Sequence, residues 1–236
     1  MLKTFSPNDV GNDYICSDIH GHFSLLEAEL SLISFDKNKD RLFCVGDLID
    51  RGDESDLALD WLKQPWFFAI QGNHERMLIN AFEQRSDMLW QQWMMWGGSW
   101  AEDMGYDLLA PYYEAFRDLP IGIEIALANG KTIGLIHAEL PDVCDWHDVR
   151  ELLLSIPSNQ IEANRLTSDM LWNKAQPYLP SDNRSQVKPV ANIHHVFHGH
   201  TIVEDYLTIA NRTFMDLGAY QTGRIGLIEP LQFLNM

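Results

Sequence analysis

The sequence predicts an α/β protein that carries a parallel sheet together with a second, mixed or antiparallel sheet, and two observations predict it. The first third alternates short apolar runs with stretches of helical periodicity, the pattern of parallel strands joined by helical crossovers. Further on, two β-rich runs flank Asn129-Gly130, a dipeptide that supports a type I′ hairpin turn. A length of 236 residues suits one large domain, 1–236. Hydrophobic residues at 46% and charged residues at 22% exclude disordered, collagen-like and low-complexity classes.

Taken in order, Tyr14-Ile15-Cys16 reads as a short buried strand, and the leucines from Phe23 to Leu32 are spaced for a helix. Arg41 to Val45 is a second strand, Asp56 to Lys63 a helix, Trp66 to Ile70 a third strand and Glu75 to Phe82 another helix. Four of the eight tryptophans, Trp90, Trp93, Trp96 and Trp100, crowd around Gly97-Gly98. The first three recur at every third position and so share a helical face. This stretch, about 83–118, is expected to be a helical subdomain packing aromatics onto the sheet rather than a substrate platform. Ile121 to Ala128 and Thr132 to Ile136 form the hairpin, and Pro177 to Pro189 is loop in composition. Val196-Phe197, Tyr206 to Ile209, Thr213 to Met215 and Ile225 to Ile228 read as short strands.

Lys and Arg number 17 against 34 Asp and Glu, a net charge of -17. Such a chain has no general attraction to nucleic acid or to an anionic membrane, so a bound phosphate must be held by a local cluster or a metal. The start of the chain has no apolar signal run and no stretch reaches membrane-spanning length, which predicts a cytoplasmic protein. Cys16, Cys44 and Cys144 are odd in number and lack CxxC spacing, so they are expected to be reduced thiols.

Polar clusters end the predicted strands. Asp18-Ile19-His20-Gly21 follows the first, Gly46-Asp47-Leu48-Ile49-Asp50-Arg51-Gly52 the second and Gly72-Asn73-His74-Glu75 the third. His137 closes the strand Thr132 to Ile136, and His200 lies in His198-Gly199-His200-Thr201. In open α/β sheets, ligands sit beyond the carboxyl ends of strands. Carboxylate, imidazole and amide oxygen together suit first-row divalent ions such as manganese, iron or zinc. The neighbouring glycines let the backbone turn sharply and approach closely.

These residues resemble the calcineurin-like metallophosphoesterases, and more narrowly the phosphoprotein phosphatases of the bacteriophage-lambda and bacterial serine/threonine type. SDIHG, GDLIDRG, GNHE, the IHAELP segment and GHT occur in the family's order and spacing, from about Tyr14 to Glu229. The resemblance implies a four-layer sandwich of two mixed β-sheets flanked by helices, with two divalent metal ions at one edge between the sheets. Asp18 and His20 would bind one ion, Asn73, His137 and His200 the other, and Asp47 would bridge them. Manganese is the expected metal, with iron or zinc as alternatives. Two such ions, roughly 3.5–4 Å apart, acidify a shared water and clamp the phosphoryl oxygens, so that a hydroxide attacks phosphorus in line. His74 would protonate the leaving oxygen with Asp50 orienting it, Arg51 would grip the phosphate as a planar clamp, and Asn73 would also touch substrate. The substrate implied is a phosphorylated protein or peptide.

Bland readings stand beside these. His147 and His194 are read as ordinary polar residues, His198 as a packing or supporting residue, Glu75 as a first-turn carboxylate complementing the helix dipole, and Cys16 and Cys44 as small core residues. Cys144 to Arg150 fits the Cys-x5-Arg spacing of cysteine-dependent phosphatases, but it lacks glycines, and Asp145 and Asp148 would repel the phosphate. Departures from the family pattern include Ser17 for Gly, Gln71 for Arg, Trp96 for Asn, and Leu171-Trp172-Asn173-Lys174 where relatives read LWSR. Lys174 keeps the charge of that second clamp without its fork. Two rival functions remain: hydrolysis of symmetrical dinucleoside tetraphosphates, whose enzymes typically lack the Asp50 equivalent and read GNHD, and a non-catalytic metal- or phosphate-binding protein, for which a leaving-group acid would be useless.

Overall fold

A computed structural model describes residues 1–235. The strands are β1 (Leu2–Phe5), β2 (Asp13–Cys16), β3 (Arg41–Cys44), β4 (Phe67–Ala69), β5 (Gly122–Ala126), β6 (Thr132–Ile136), β7 (His195–His198), β8 (Leu207–Ile209), β9 (Arg212–Phe214) and β10 (Leu227–Ile228). The helices are α1 (Phe23–Leu32), α2 (Ala58–Leu62), α3 (Asn73–Gln84), α4 (Asp87–Met95), α5 (Tyr106–Arg117), α6 (Trp146–Ser155), α7 (Arg165–Trp172), α8 (Ser181–Arg184), α9 (Ala219–Thr222) and α10 (Pro230–Phe233). One sheet runs β1-β5-β6-β7-β9-β8 and the other β10-β2-β3-β4. Both are mixed: β2, β3 and β4 are parallel, as are β6, β7 and β9, while β10 on β2, β5 on β6 and β8 on β9 are antiparallel.

Two-residue alternation sorts the core into layers. Ile15, Phe43 and Val45 point from the smaller sheet toward Ile123, Ile125, Ile133, Leu135 and Phe197 of the larger one. The intervening Tyr14, Cys16, Leu42 and Cys44 face outward onto Phe23 and Leu26 of α1, Leu78 of α3, Trp93 of α4 and Phe116 of α5. On the far side, Ile136 and Val196 pack under Trp146, Val149 and Leu153 of α6 and Met170 of α7. A Cβ on Gly134 would collide with the Trp146 ring, so glycine there lets α6 lie close on the sheet. Each large apolar side chain buried this way contributes about 1.5–3 kcal/mol. The result is helices, sheet, sheet, helices: the expected four-layer sandwich.

Several details differ from the sequence reading, among them Pro177 to Pro189, which contains the short helix α8. Leu2–Phe5 forms an edge strand parallel to β5, a run of four residues too short to betray a period. The expected helix over Asp56 to Lys63 begins as a 3-10 turn, Ser55–Leu57, before α2. The hairpin does not use a type I′ turn: Gly130 is left-handed at φ 81°, but Asn129 has no positive φ, and Gly130 N–H closes on Leu127 C=O at 3.0 Å. Asn-Gly serves this bulged turn as well as the tighter one. Finally, Trp96 lies past the end of α4 and is exposed, so only Trp93 of the spaced trio is fully buried.

Candidate active site

The parallel strands β2, β3, β4, β6 and β7 end where the polar motifs begin, so sequence neighbours of unlinked strands meet at one edge. Asp47 is the centre. Its Oδ2 lies 3.6 Å from His20 Nε2 and 3.9 Å from His74 Nε2, and its Oδ1 lies 3.4 Å from His137 Nε2. Two groups of potential metal ligands share it: His20, Asp47 and His74, and Asp47, His137 and His200, the atoms of each within 4.8 Å of one another. Asn73 Oδ1 joins the second group, 2.9 Å from both His137 Nε2 and His200 Nδ1.

The local backbone explains the convergence. His20, Asp47, Asp50, Arg51 and His200 all have positive φ, an unusual conformation for side-chain-bearing residues that turns each strand end inward. Asp18 and Gly199 approach so closely that a Cβ on Gly199 would collide with Asp18 Oδ1.

Backbone carbonyls orient the imidazoles. His20 Nδ1 bonds Ile49 C=O at 3.0 Å, His137 Nδ1 bonds Val45 C=O at 2.8 Å and His200 Nε2 bonds Trp172 C=O at 3.2 Å. In each ring the other nitrogen is left facing the cluster, as metal-ligating histidines require. Asp18 stands outside both compact groups; its Oδ2 accepts His200 N–H at 2.9 Å, while its Oδ1 is buried without a partner. An orphaned carboxylate oxygen beside converging lone pairs fits a divalent cation.

Charge in the cluster is balanced by proximity. Burial works against ionisation of Asp47, yet His137, His74 and His20 hold its carboxyl well below the ordinary value. Burial likewise opposes charge on His137, but Asp47 and Asp18 overrule it and raise its pKa to about 10. Burial drives His20 well below its ordinary value and, with His137 alongside, brings His200 to about 3, so both rings are neutral donors. Burial and Asp216 push Asp18 well above the carboxylate range.

Next to this cluster, His74 Nδ1 bonds Asp50 Oδ2 at 2.7 Å. Arg51 sends one terminal nitrogen to His20 Nε2 and the other to His74 Nε2, each at 2.9 Å, and its guanidinium lies 4.3 Å from the Tyr220 ring centre. A cavity of about 520 Å³ opens over Asp47, Arg51, Asn73 and His200, and Lys174 lines it. The sequence-predicted site residues therefore converge at this edge, with Asp18 tied in through the His200 backbone N–H and His74 standing in the compact group with His20 and Asp47.

Other residues fall where the bland readings put them. His198 is buried against Phe214 with Nδ1 on Ile136 C=O at 3.0 Å, and His194 Nδ1 accepts Thr132 N–H at 2.9 Å. Burial pushes the Cys144 thiol up to about 11, and Arg150 pairs with Glu124, so the Cys-x5-Arg spacing builds no phosphate cradle. Four contributors escaped the sequence reading: Trp93 and Trp100, whose indoles bond Asp50; Tyr220 beneath Arg51; and buried Asp216 beside Asp18. Only Asp216, two residues past the end of β9, carried a visible strand-end signal.

The family model of calcineurin-like phosphoesterases matches residues 14–204. Serine/threonine-protein phosphatase 2 of Escherichia coli (strain K12) is 30% identical over 226 residues, covering 92% of this chain and 91% of its own. A symmetrical bis(5'-nucleosyl)-tetraphosphatase of Psychromonas ingrahamii is 43% identical over 68 residues, 28% of this chain and 25% of its own. A solved serine/threonine phosphatase from Saccharomyces cerevisiae shares the fold at TM-score 0.62 and 18% identity, covering 91% of this chain and 70% of that one. With the strand-end motifs, the sandwich and these matches in agreement, the chain belongs to the calcineurin-like phosphoesterase family.

Proposed function

We propose that this protein is a metal-dependent phosphomonoesterase that dephosphorylates serine and threonine residues of proteins, with two divalent ions, manganese first among them. The observation that carries the reading is His74, anchored through Nδ1 to a buried carboxylate and turned through Nε2 toward a cluster of metal-type donors. A protein that only bound phosphate would have no use for such an oriented acid.

Asp18, His20 and Asp47 would hold one ion, and Asp47, Asn73, His137 and His200 the other. When bound, the pair supplies Lewis acidity toward the phosphoryl group and acidifies water. The chain's own residues do the rest. Arg51 exchanges its contacts to His20 and His74 for two phosphate oxygens, held flat by Tyr220. Asn73 offers its side-chain amide N–H groups to substrate from the first turn of α3, and Lys174 adds a mobile positive charge at the wall of the cavity. His74 carries a proton at Nε2 to the leaving oxygen, while Asp50 keeps the ring's other N–H occupied and fixes its tautomer.

A second reading, hydrolysis of a symmetrical dinucleoside tetraphosphate, is favoured by the cavity rim, where Trp96 and Tyr178 stand 53% and 70% exposed and could stack on a base. The test is one panel with the manganese-loaded protein: a phosphoserine peptide, a phosphotyrosine peptide and diadenosine tetraphosphate. Fastest turnover of the phosphoserine peptide supports the proposal. Preference for the dinucleotide would replace it with the second reading.

A further inference from the structure

Asp50 has no exposed surface, and its carboxylate gathers N–H donors from two separate parts of the chain. Oδ2 accepts from His74 Nδ1 at 2.7 Å, Trp93 Nε1–H is shared between Oδ2 at 2.9 Å and Oδ1 at 3.1 Å, and Oδ1 accepts from Trp100 Nε1 at 2.7 Å. An indole N–H donates and cannot accept, so both rings can serve only the anionic carboxylate or its bare oxygen. We propose that Trp93 and Trp100 are positioning residues for protonation of the leaving group: they fix the plane of Asp50, which in turn aims His74. This assignment rests on the phosphomonoesterase reading above.

The geometry supports that role over mere packing. A buried carboxylate is costly unless hydrogen-bonded. Two neutral indoles satisfy it without a positive charge, which a Lys or Arg would add and which would repel protonated His74. They also pin both oxygens, so the carboxylate cannot rotate away from Nδ1. The surrounding chain is shaped for this contact. Asp50 and Arg51 sit at φ 74° and 72°, and Asp50 N–H is tied to Ser55 Oγ at 2.9 Å. Arg51 N–H bonds Gly97 C=O at 2.9 Å, with Gly97 at φ 117°. A Cβ on Gly97 would come 2.7 Å from Arg51 Cγ, and one on Gly98 2.8 Å from the Trp93 ring. Gly97-Gly98 thus lets the tryptophan segment close directly over the Asp50-Arg51 turn. Trp93 and Trp100 meet edge to face, ring centres 6.2 Å apart, which keeps both N–H groups directed at one carboxylate.

Trp93→Phe and Trp100→Phe remove the donor and keep a ring. The readout is the ratio of kcat on a phosphoserine peptide, whose alkoxide leaving group needs a proton, to kcat on p-nitrophenyl phosphate, whose phenolate barely does. Each variant is expected to lower that ratio about tenfold with KM little changed, since positioned proton donation is worth roughly 10²–10⁴ in rate. A parallel fall on both substrates, or no change, overturns the proposal. Should Trp93→Phe fail to fold, half-buried Trp100→Phe decides alone. The low-field proton resonance of His74 Nδ1–H gives a readout independent of turnover. It should shift in a folded variant, and an unmoved signal also overturns the proposal. Absence of all phosphomonoester turnover in the parent protein would instead refute the reading beneath it, leaving the resonance to judge the Trp-Asp50-His74 geometry.

Discussion

The carboxylate of Glu75 accepts the backbone N–H of Asp47 at 3.0 Å, so the first turn of α3 sets the position of the carboxylate at the centre of the site. The same side chain takes Leu48 N–H at 2.8 Å and Gly72 N–H at 2.8 Å, joining the loop after β3 to the loop after β4. Glu75 is the first-turn carboxylate expected from the sequence, but its main work is local: it satisfies three buried donors, including one on a residue at φ 51°.

Glu75→Gln should therefore be disruptive despite its similar shape. One oxygen becomes an NH₂ pointing at N–H groups, and leaving buried donors unpaired costs about 1–3 kcal/mol. A lower urea midpoint with weaker manganese binding is expected. Parent-like stability together with parent-like affinity would contradict the tie between the two loops.

Metal loading should depend on pH, with a definite sign. In the metal-free protein His137 retains its proton, held up to about 10 by Asp47 against burial, and the Asp18 pKa is raised by burial and Asp216. A ligand must be a neutral imidazole or an ionised carboxylate, so binding expels protons and affinity rises with pH. Calorimetry near pH 7 in two buffers of different ionisation enthalpy should report a net release of protons on metal binding. No release, or tighter binding on acidification, would speak against the ligand set.

His74→Asn removes the acid and leaves the shared donors of Asp47 in place. The variant should bind manganese as the parent does while losing about 10²–10⁴ in turnover of a phosphoserine peptide. Metal content by elemental analysis and kcat from the same sample check both halves, and full activity would eliminate the acid role.

Lys174 tests the cavity wall. Lys174→Ala should weaken inhibition by inorganic phosphate and raise KM by no more than several-fold, the effect of the ~1 kcal/mol at most that an exposed charge contact supplies. Unchanged inhibition and unchanged turnover would remove Lys174 from the substrate site.

The legible part of the site was the part written next to strand ends. Asp18, Asp47, Asn73, His137 and His200 lie a few residues past β2, β3, β4, β6 and β7, so the alternation that reveals the strands also points to the donors. The bonds from Trp93 and Trp100 to Asp50 span 43 and 50 residues. Three-residue spacing shows that tryptophans share a helix face, but the direction of that face depends on how α4 folds back over the Asp50 turn. Trp96 shows the limit of the same rule, because the helix ends at Met95 and the ring swings out to the cavity rim. At the hairpin, Asn129-Gly130 located the turn correctly, yet one left-handed glycine satisfies two turn geometries; the register, with Ala126 opposite Thr132 and Leu127 N–H on Lys131 C=O, leaves a three-residue loop that takes the bulged one.

The central claim is that Asp47 is shared by two ions. Diffraction from manganese-soaked crystals at the manganese absorption edge tests it most directly. Two anomalous peaks flanking Asp47, one beside His20 and the other among Asn73, His137 and His200, are the expected result. A single peak, or density away from that carboxylate, would contradict it.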